Sequence, residues 1–160
     1  MDAVHFVCVW RDPAAPEVAM VQDMWRKYGV ITGEEMIAKR ASEIVFVIRG
    51  KNGEVGGVST VRPVRAKFLN YHFFYEFRCF IAPHFRAPGL DSLLAKKTGE
   101  FLEKQNDSVS KFKGMLMIVE NQALRVQRTK AVWPASGMVF IGYTSQGHHI
   151  RVGYFKGARI

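Results

Sequence analysis

The stretch from Tyr71 to Lys104 decides the fold, and it reads YHFFYEFRCFIAPHFRAPGLDSLLAKKTGEFLEK. Its first part is a long aromatic and apolar run that predicts a β-strand over residues 70–82. Its second part has the leucine spacing of an amphipathic helix. The four residues 86–89 (RAPG) place a cation and a glycine directly before that helix. Because helix N-termini carry unpaired backbone N–H groups, this loop predicts an anion or phosphate site.

The composition predicts one folded domain with a basic surface. The chain has 160 residues, 48% of them hydrophobic, and its 23 basic and 14 acidic side chains leave a net charge of +9. A basic surplus favours acidic partners such as a phosphorylated cofactor, nucleic acid or an acidic protein face. The basic residues are dispersed rather than gathered in one run, which makes nucleic acid the least favoured of these partners.

The sequence also predicts the compartment. No apolar run reaches the roughly 18 to 20 residues that a membrane span requires, and the segment MDAVHFVCVWRD lacks the basic start of a signal peptide. We therefore expect a cytoplasmic protein without a membrane partner. Cys8 and Cys79 lie in apolar runs and are expected to be buried, reduced thiols. No set of residues has the spacing of a metal site, so no metal is expected.

Hydrophobic periodicity predicts an α/β (α+β) fold. The central strand is apolar on both faces, which is typical of a sheet covered by helices on both sides. The strand–helix–strand unit that follows predicts one parallel pair with a right-handed connection. The predicted elements are a strand at residues 3–10, helices at 16–28 and 32–41, antiparallel strands at 43–49, 55–64 and 70–82, a helix from residue 90, a strand at 115–119, a helix at 121–131, and closing strands at 139–143 and 149–155.

Local signals refine several of these elements. Thr32 and Glu35 have the spacing of a helix capping box, and Asn52-Gly53 is typical of a tight hairpin turn. Gly56-Gly57 indicates either a bulge or a close approach of another part of the chain, and Pro63 predicts the end of its strand. The first two helices could form a substrate-facing lid or a cover over the sheet, and the sequence favours the cover.

The element order and the segment IAPHFRAPGLDSLL (residues 81–94) resemble the GNAT superfamily of acyl-CoA N-acyltransferases. That family has a strand ending in a Val-x-Pro-like step, then Arg/Gln-x-x-Gly-x-Gly/Ala, then a helix with paired leucines. The resemblance continues in Val119-Glu120-Asn121 and in residues 136–142 (SGMVFIG). The residues that match the central signature are Ile81, Pro83, Arg86, Gly89, Leu93 and Leu94.

The resemblance implies a single GNAT-like domain over residues 1–160, with a mixed, mostly antiparallel central sheet flanked by helices on both faces. It further implies a V-shaped opening between two central strands that receives acetyl-CoA or another acyl-CoA. The pyrophosphate would rest on backbone N–H groups of residues 86–92. The implied cofactor-binding residues are Phe80, Ile81, Ala82, Arg86, Ala87, Gly89, Leu90, Asp91, Ser92 and Asn121.

The implied reaction is a direct attack of a neutral amine on the thioester, which requires a group that deprotonates the amine. Glu76 is the best candidate for this base because it is an acid within an otherwise aromatic strand, and His72 on the same strand is a weaker candidate. The alternative for Glu76 is a solvent-facing carboxylate or one paired with Arg78.

The chain departs from the family pattern in three places. Asp91 stands where the family has Gly or Ala, either stabilising its own helix or weakening the phosphate site. Pro88 removes one N–H donor, and Trp133 lies in the region where many members carry a tyrosine as general acid. Two functions therefore remain open: an N-acetyltransferase acting on an amine of a small molecule or protein, or a catalytically degenerate GNAT-like protein that binds a protein or nucleic-acid partner. A homodimer is also left open.

Overall fold

The computed structural model describes residues 3–106 and 111–160. Its helices and strands follow the predicted order. The helices are α1 (Pro16–Tyr28), α2 (Glu34–Ala41), α3 (Leu90–Gln105) and α4 (Gln122–Gln127), and the strands are β1 (His5–Cys8), β2 (Ile44–Arg49), β3 (Val55–Ala66), β4 (His72–Ile81), β5 (Phe112–Val119), β6 (Val139–Tyr143) and β7 (His149–Tyr154). Within the described ranges, no helix is long and apolar enough to cross a membrane.

The strands form one mixed sheet in the order β1-β2-β3-β4-β5-β7-β6. Strands β4 and β5 are parallel, whereas β1–β2, β2–β3, β5–β7 and β6–β7 are antiparallel. The predicted fold class, a mostly antiparallel sheet flanked by helices, is therefore confirmed. The parallel pair expected from the crossover helix is also confirmed, and it consists of β4 and β5.

The parallel pair has a short register. Phe73 pairs with Phe112, and Glu76 pairs with Leu116, with an irregularity between Phe73 and Tyr75. Both strands continue beyond these pairs, β4 to Ile81 and β5 to Val119.

The chain divides into two compact units: residues up to Val61 together with Arg78–Leu94, and Arg62–Phe77 together with the residues from Ala95 onward. In the first unit the core joins α1 and α2 to β2 and β3, and Val21, Trp25 and Val47 are almost fully buried there. The helical pair thus covers the strands, as the sequence favoured. In the second unit the core forms around Phe74, Leu116 and Val152. A single domain over residues 1–160 stays a prediction.

Helix boundaries follow the capping signals only in part. Pro16 occupies the first turn of α1, and Gly29 ends it in the left-handed conformation with φ +61°, as expected for these residue types. The predicted capping box before α2 is wrong. Gly33 is the N-cap, with φ +92° and no side-chain cap. This start makes Glu35 the second helical residue rather than the third, so it cannot close a capping box.

Two further boundaries differ from the prediction. β3 continues past Pro63 to Ala66. Pro63 lies three residues beyond the Ile44–Thr60 pair at the start of β2, so that pairing does not need its missing N–H. The predicted burial of the cysteines is also wrong, because Cys8 and Cys79 are exposed, although both are outside any disulfide. Cys8 ends the edge strand β1, and edge positions are open to solvent.

The sequence indicated either a bulge or a close approach of another part of the chain at Gly56-Gly57, and Gly56 shows both. Ile48 pairs with Gly57 and Arg49 pairs with Val55, so Gly56 is the extra residue of a β-bulge. A Cβ on Gly56 would lie 2.1 Å from the ring of Phe85. The missing side chain therefore admits the Phe85 ring, and the Gly56 carbonyl accepts a 2.8 Å hydrogen bond from the amide of Ala82.

We expect Gly56→Ala to destabilise the protein by about 1–3 kcal/mol, because the added methyl group overlaps the Phe85 ring. Urea unfolding measures the change. Gly99→Ala is the matched control: its Cβ would lie 3.7 Å from Met115, and alanine in a helix interior should stabilise by about 0.5–1 kcal/mol. Phe85→Leu should reduce the cost of Gly56→Ala. An unchanged cost in that background would show that the ring contact is not responsible.

Candidate functional site

The loop between β4 and α3 has the strand–loop–helix form that the sequence predicts. After β4, a short 3-10 turn covers Pro83–Phe85, and α3 begins at Leu90. Gly89 has φ +80°, and a Cβ there would meet nothing within 4 Å. Glycine is thus required at this position for its backbone conformation and not for space. Asp91 lies in the first turn of α3, where a carboxylate stabilises the helix dipole.

The backbone donors of this loop are only partly available for a ligand. The amide of Arg86 donates to the carbonyl of Pro83 at 3.3 Å, and the amide of Leu90 donates to the carbonyl of Ala87 at 3.1 Å. Pro88 has no amide hydrogen. Among the described residues, the N–H groups of Ala87 and Gly89 have no acceptor. The loop therefore presents two open donors beside the helix N-terminus.

The side chains of this loop pack against the core and the end of β4. Ile81, Ala82 and Leu90 are buried, so these predicted cofactor residues can meet a ligand mainly through their backbones. The Nε of Arg86 donates to the carbonyl of Ile81 at 3.1 Å, which fixes the guanidinium against the end of β4. Phe85 packs beside the cluster that contains Leu90. Arg86 and Phe85 thus hold the loop against the end of β4 and the core.

A cavity of about 490 Å³ lies beside this loop in the first unit. Three predicted cofactor residues line it, namely Arg86, Ala87 and Leu90. Lys51 adds a second cation to the lining. This volume lies within the range of typical small-molecule sites, and its two cations, set against the one carboxylate of Glu54, favour a phosphate-bearing ligand.

Three residues that the sequence did not single out as functional meet beside this cavity. The ring of His84 lies between the hydroxyl of Tyr28 and the carboxylate of Glu54. The hydrogen bond from His84 is the largest cause that lowers the pKa of Glu54 below its ordinary value, followed by the bond from Asn52. Because Tyr28 and Glu54 are 56 and 30 residues from His84, no local motif could have joined them.

Glu76 is buried, and its carboxylate is already engaged. Its Oε2 accepts a 2.5 Å hydrogen bond from the Nε of Arg62, whose side chain is 42% exposed. The sequence considered Arg78 as the partner and not Arg62. His72 is half-buried at the first residue of β4.

Asn121 has a structural role at the start of α4. Its Oδ1 accepts a 3.3 Å hydrogen bond from the amide of Leu124 as the helix N-cap. α4 ends at Gln127, four residues before the predicted end. No tyrosine occurs between Glu120 and Gly142, and Trp133 in that segment is buried.

Arg151 binds the segment that follows α4. This side chain on β7 is 1% exposed, and its terminal nitrogens donate to four carbonyls, those of Arg128, Lys130, Ala131 and Met138. Its guanidinium also lies 4.1 Å from the ring centroid of Trp133. Burial lowers the pKa of Arg151 from its ordinary value. The carbonyls after α4 thus bind a buried cation.

We expect Arg151→Lys to destabilise the protein by roughly 2–4 kcal/mol, because an ammonium cannot reproduce the planar set of donors and leaves buried carbonyls unpaired. Chemical unfolding measures the loss. The exposed Arg159→Lys is the matched control and should stay within about 0.5 kcal/mol of the parent. Equal stabilities for the two variants would contradict the role of Arg151 as an anchor.

No protein-family model and no curated protein matches the chain. Solved structures do match. The acetyltransferase of GNAT family from Streptococcus pneumoniae superposes with a TM-score of 0.63 at 16% identity, over 96% of this chain and 99% of that one. A GNAT superfamily phosphinothricin acetyltransferase from Sinorhizobium meliloti, solved in complex with AcCoA, gives 0.64 at 13% identity, over 97% and 95%.

A third match is the ribosomal-protein-S5-alanine acetyltransferase from Vibrio fischeri, with a TM-score of 0.64 at 9% identity, over 100% of this chain and 97% of that chain. Each likeness covers nearly the full length of both chains at low identity. The comparisons therefore show that the chain has the GNAT fold.

Proposed function

We propose that this protein is an acetyl-CoA-dependent N-acetyltransferase, located in the cytoplasm, that transfers an acetyl group to an amine of a small molecule or protein. The observation that carries the proposal is the pair of open amides on Ala87 and Gly89 at the N-terminus of α3. The GNAT fold supports it, since several structures with this fold are acetyltransferases.

The residues of the loop fit a pyrophosphate group. Two open N–H donors and the dipole of α3 attract negative charge without a metal, and Arg86 and Lys51 add positive charge at the adjoining cavity. Acetyl-CoA, when bound, supplies an activated acyl group as a thioester. We assign its binding to Phe80, Ile81, Ala82, Arg86, Ala87, Gly89, Leu90, Asp91, Ser92 and Asn121.

The acceptor amine must lose a proton before it attacks. Glu76 and His72 remain the residues on β4 that this proposal assigns to that step. Oε2 of Glu76 is bonded to Arg62, so a proton taken up at that oxygen would displace the guanidinium.

Isothermal titration calorimetry with acetyl-CoA tests the proposal. We expect binding by the parent protein and its loss in Gly89→Trp, because a side chain at φ +80° strains the loop and covers the open amides. Gly157→Trp is the matched control, since Gly157 has φ +78° and equally empty surroundings, and it should keep parental affinity. No heat of binding at about 1 mM acetyl-CoA would refute the proposal.

The second candidate function is a GNAT-fold binding protein without catalysis. One surface of the second unit favours it, defined here as the aromatic–basic surface (Arg65, Tyr71, Phe73 and Lys111). The guanidinium of Arg65 lies 5.5 Å from the ring centroid of Tyr71, and the ammonium of Lys111 lies 4.3 Å from that of Phe73. Tyr71 is 52% exposed. Exposed rings interleaved with cations are typical of contact surfaces for acidic partners.

A pull-down from cell extract separates this candidate from the enzyme. A partner held by the aromatic–basic surface should be lost in the double variant Arg65→Gln/Lys111→Gln, because both cations are removed. It should be retained in Gly89→Trp and in the control Lys156→Gln. Retention in the double variant would exclude this surface. If the captured partner is nucleic acid, its affinity must fall steeply with salt.

A further inference from the structure

A second polar cluster, here called the Tyr28–His84–Glu54 relay, lies in the first unit. The Nε2 of His84 is 2.9 Å from Oε1 of Glu54, and its Nδ1 is 3.4 Å from the hydroxyl of Tyr28. A histidine that donates one ring N–H to a carboxylate keeps the other nitrogen as an acceptor. In that tautomer the Tyr28 hydroxyl donates to Nδ1.

The members of the relay are positioned by their neighbours. Asn52 holds Glu54 twice, since its Oδ1 accepts from the Glu54 amide at 3.0 Å and its Nδ2 donates to Oε2 at 3.4 Å. The ring of Tyr28 packs against Phe80 with centroids 5.7 Å apart. His84 meets Phe85 edge-on at 4.9 Å. The relay therefore depends on the hairpin turn, the end of α1 and the β4–α3 loop together.

The relay faces a cavity of about 260 Å³. Met20, Met24 and Val55 line this cavity together with the carboxylates of Asp23 and Glu54. Asp23 is also bonded to Arg26, and one cation, Lys27, belongs to the lining. A lining that combines apolar side chains with two carboxylates suits a small ammonium compound with a short apolar body.

Two members of the relay also line the neighbouring cavity. His84 and Glu54 line both the 260 Å³ cavity and the 490 Å³ cavity, and the larger cavity is also lined by Arg86 and Ala87. The relay is thus shared between a pocket suited to an amine and a pocket that contains residues of the proposed cofactor loop. An acid–base group that serves transfer between two ligands needs this kind of position.

We propose that the 260 Å³ cavity holds the acceptor amine, that His84 accepts its proton through the hydroxyl of Tyr28, and that Glu54 positions His84. This inference rests on the proposed acetyltransferase function and names the group that prepares the acceptor. It assigns the deprotonation of the amine to the imidazole of His84, whereas Oε2 of Glu76 is already bonded to Arg62.

The chemistry balances with acetyl-CoA as the acyl donor. The ammonium gives one proton to the Tyr28 oxygen while the Tyr28 hydroxyl proton moves to Nδ1 of His84. The amine lone pair then forms the C–N bond at the thioester carbonyl carbon, and the C–S bond breaks with its electron pair going to sulfur. The second amine proton leaves for the thiolate, and His84 returns its proton to solvent. The products are the amide, CoA thiol and one proton.

The relay predicts a pH dependence with a definite sign. A protonated His84 cannot accept a proton, so the rate must fall as the pH is lowered. Besides the relay members Glu54 and Tyr28, the charged groups that line the two cavities beside His84 are Asp23, Lys27, Lys51 and Arg86.

The first experiment measures binding without chemistry, using 2-phenylethylamine as the amine and 2-phenylethanol as its neutral analogue. Nuclear magnetic resonance of ¹⁵N-labelled histidine follows the ring nitrogens of His84 during each titration. We expect the amine to shift the His84 signals and the alcohol to have little effect. Glu54→Gln and Asp23→Asn should each weaken the amine response several-fold. Equal responses to amine and alcohol, or none to the amine, would overturn the assignment of the cavity.

The second experiment measures thiol release from acetyl-CoA with 2-phenylethylamine between pH 5 and 9. His84→Gln should lower kcat/KM by about 10²–10⁴-fold and remove the fall in rate on the acid side of this range. Tyr28→Phe should lower kcat while keeping that fall. The exposed His5→Gln is the matched control and should behave as the parent. A His84→Gln variant with the parental rate and profile would overturn the relay.

Calorimetry with acetyl-CoA on the same proteins keeps the two proposals apart. If the parent and His84→Gln bind acetyl-CoA alike while His84→Gln keeps full activity, the relay is wrong and the acetyltransferase proposal stands. If the parent does not bind acetyl-CoA, the acetyltransferase proposal fails and the relay fails with it as a catalytic device. The amine titration still decides whether the cavity binds ammonium compounds.

Discussion

The contact between Gly56 and Phe85 is the constraint on which the candidate site depends. The bulge leaves Gly56 without a partner in β2, and the absence of a side chain lets the Phe85 ring occupy that space. Phe85 then fixes the turn that leads into α3, which sets where the open amides of Ala87 and Gly89 lie. The same approach brings the hairpin residue Glu54 to the neighbouring His84. The space left by the missing side chain of Gly56 therefore affects the position of both the open amides and the relay.

Local chemistry allowed much of this fold to be predicted. Pro16, Gly29 and the RAPG loop each act within a few residues of their own position, so their effects are visible in the sequence. The partners of charged side chains were not predictable in this way. Arg62 is 14 residues from Glu76. A period-two strand pattern shows which face of the sheet a residue occupies, but it does not show which cation on the next strand will contact it. The relay is an extreme case, because its three members come from three different elements.

The largest difference from the predicted elements lies after α4, beside a buried charge. A helix over residues 121–131 would leave its last four carbonyls without partners inside the helix. In the structure α4 ends at Gln127, and the carbonyls of Arg128, Lys130 and Ala131 accept hydrogen bonds from Arg151, whose buried positive charge requires acceptors. The ring of Trp133 completes the environment of this cation. The segment after α4 thus binds a buried guanidinium that no local pattern in the sequence could reveal.

The two ways of binding charge bear on which residue removes the proton from an amine. Oε2 of Glu76 already accepts a charge-assisted hydrogen bond from Arg62, so a proton taken up at that oxygen would displace the guanidinium. His84 instead contacts a hydroxyl at Nδ1 and a carboxylate at Nε2, and neither of these two partners is a cation. On the relay proposal, the proton acceptor would therefore lie in the turn Pro83–Phe85 after β4, rather than in the middle of the strand where a sequence pattern directs attention.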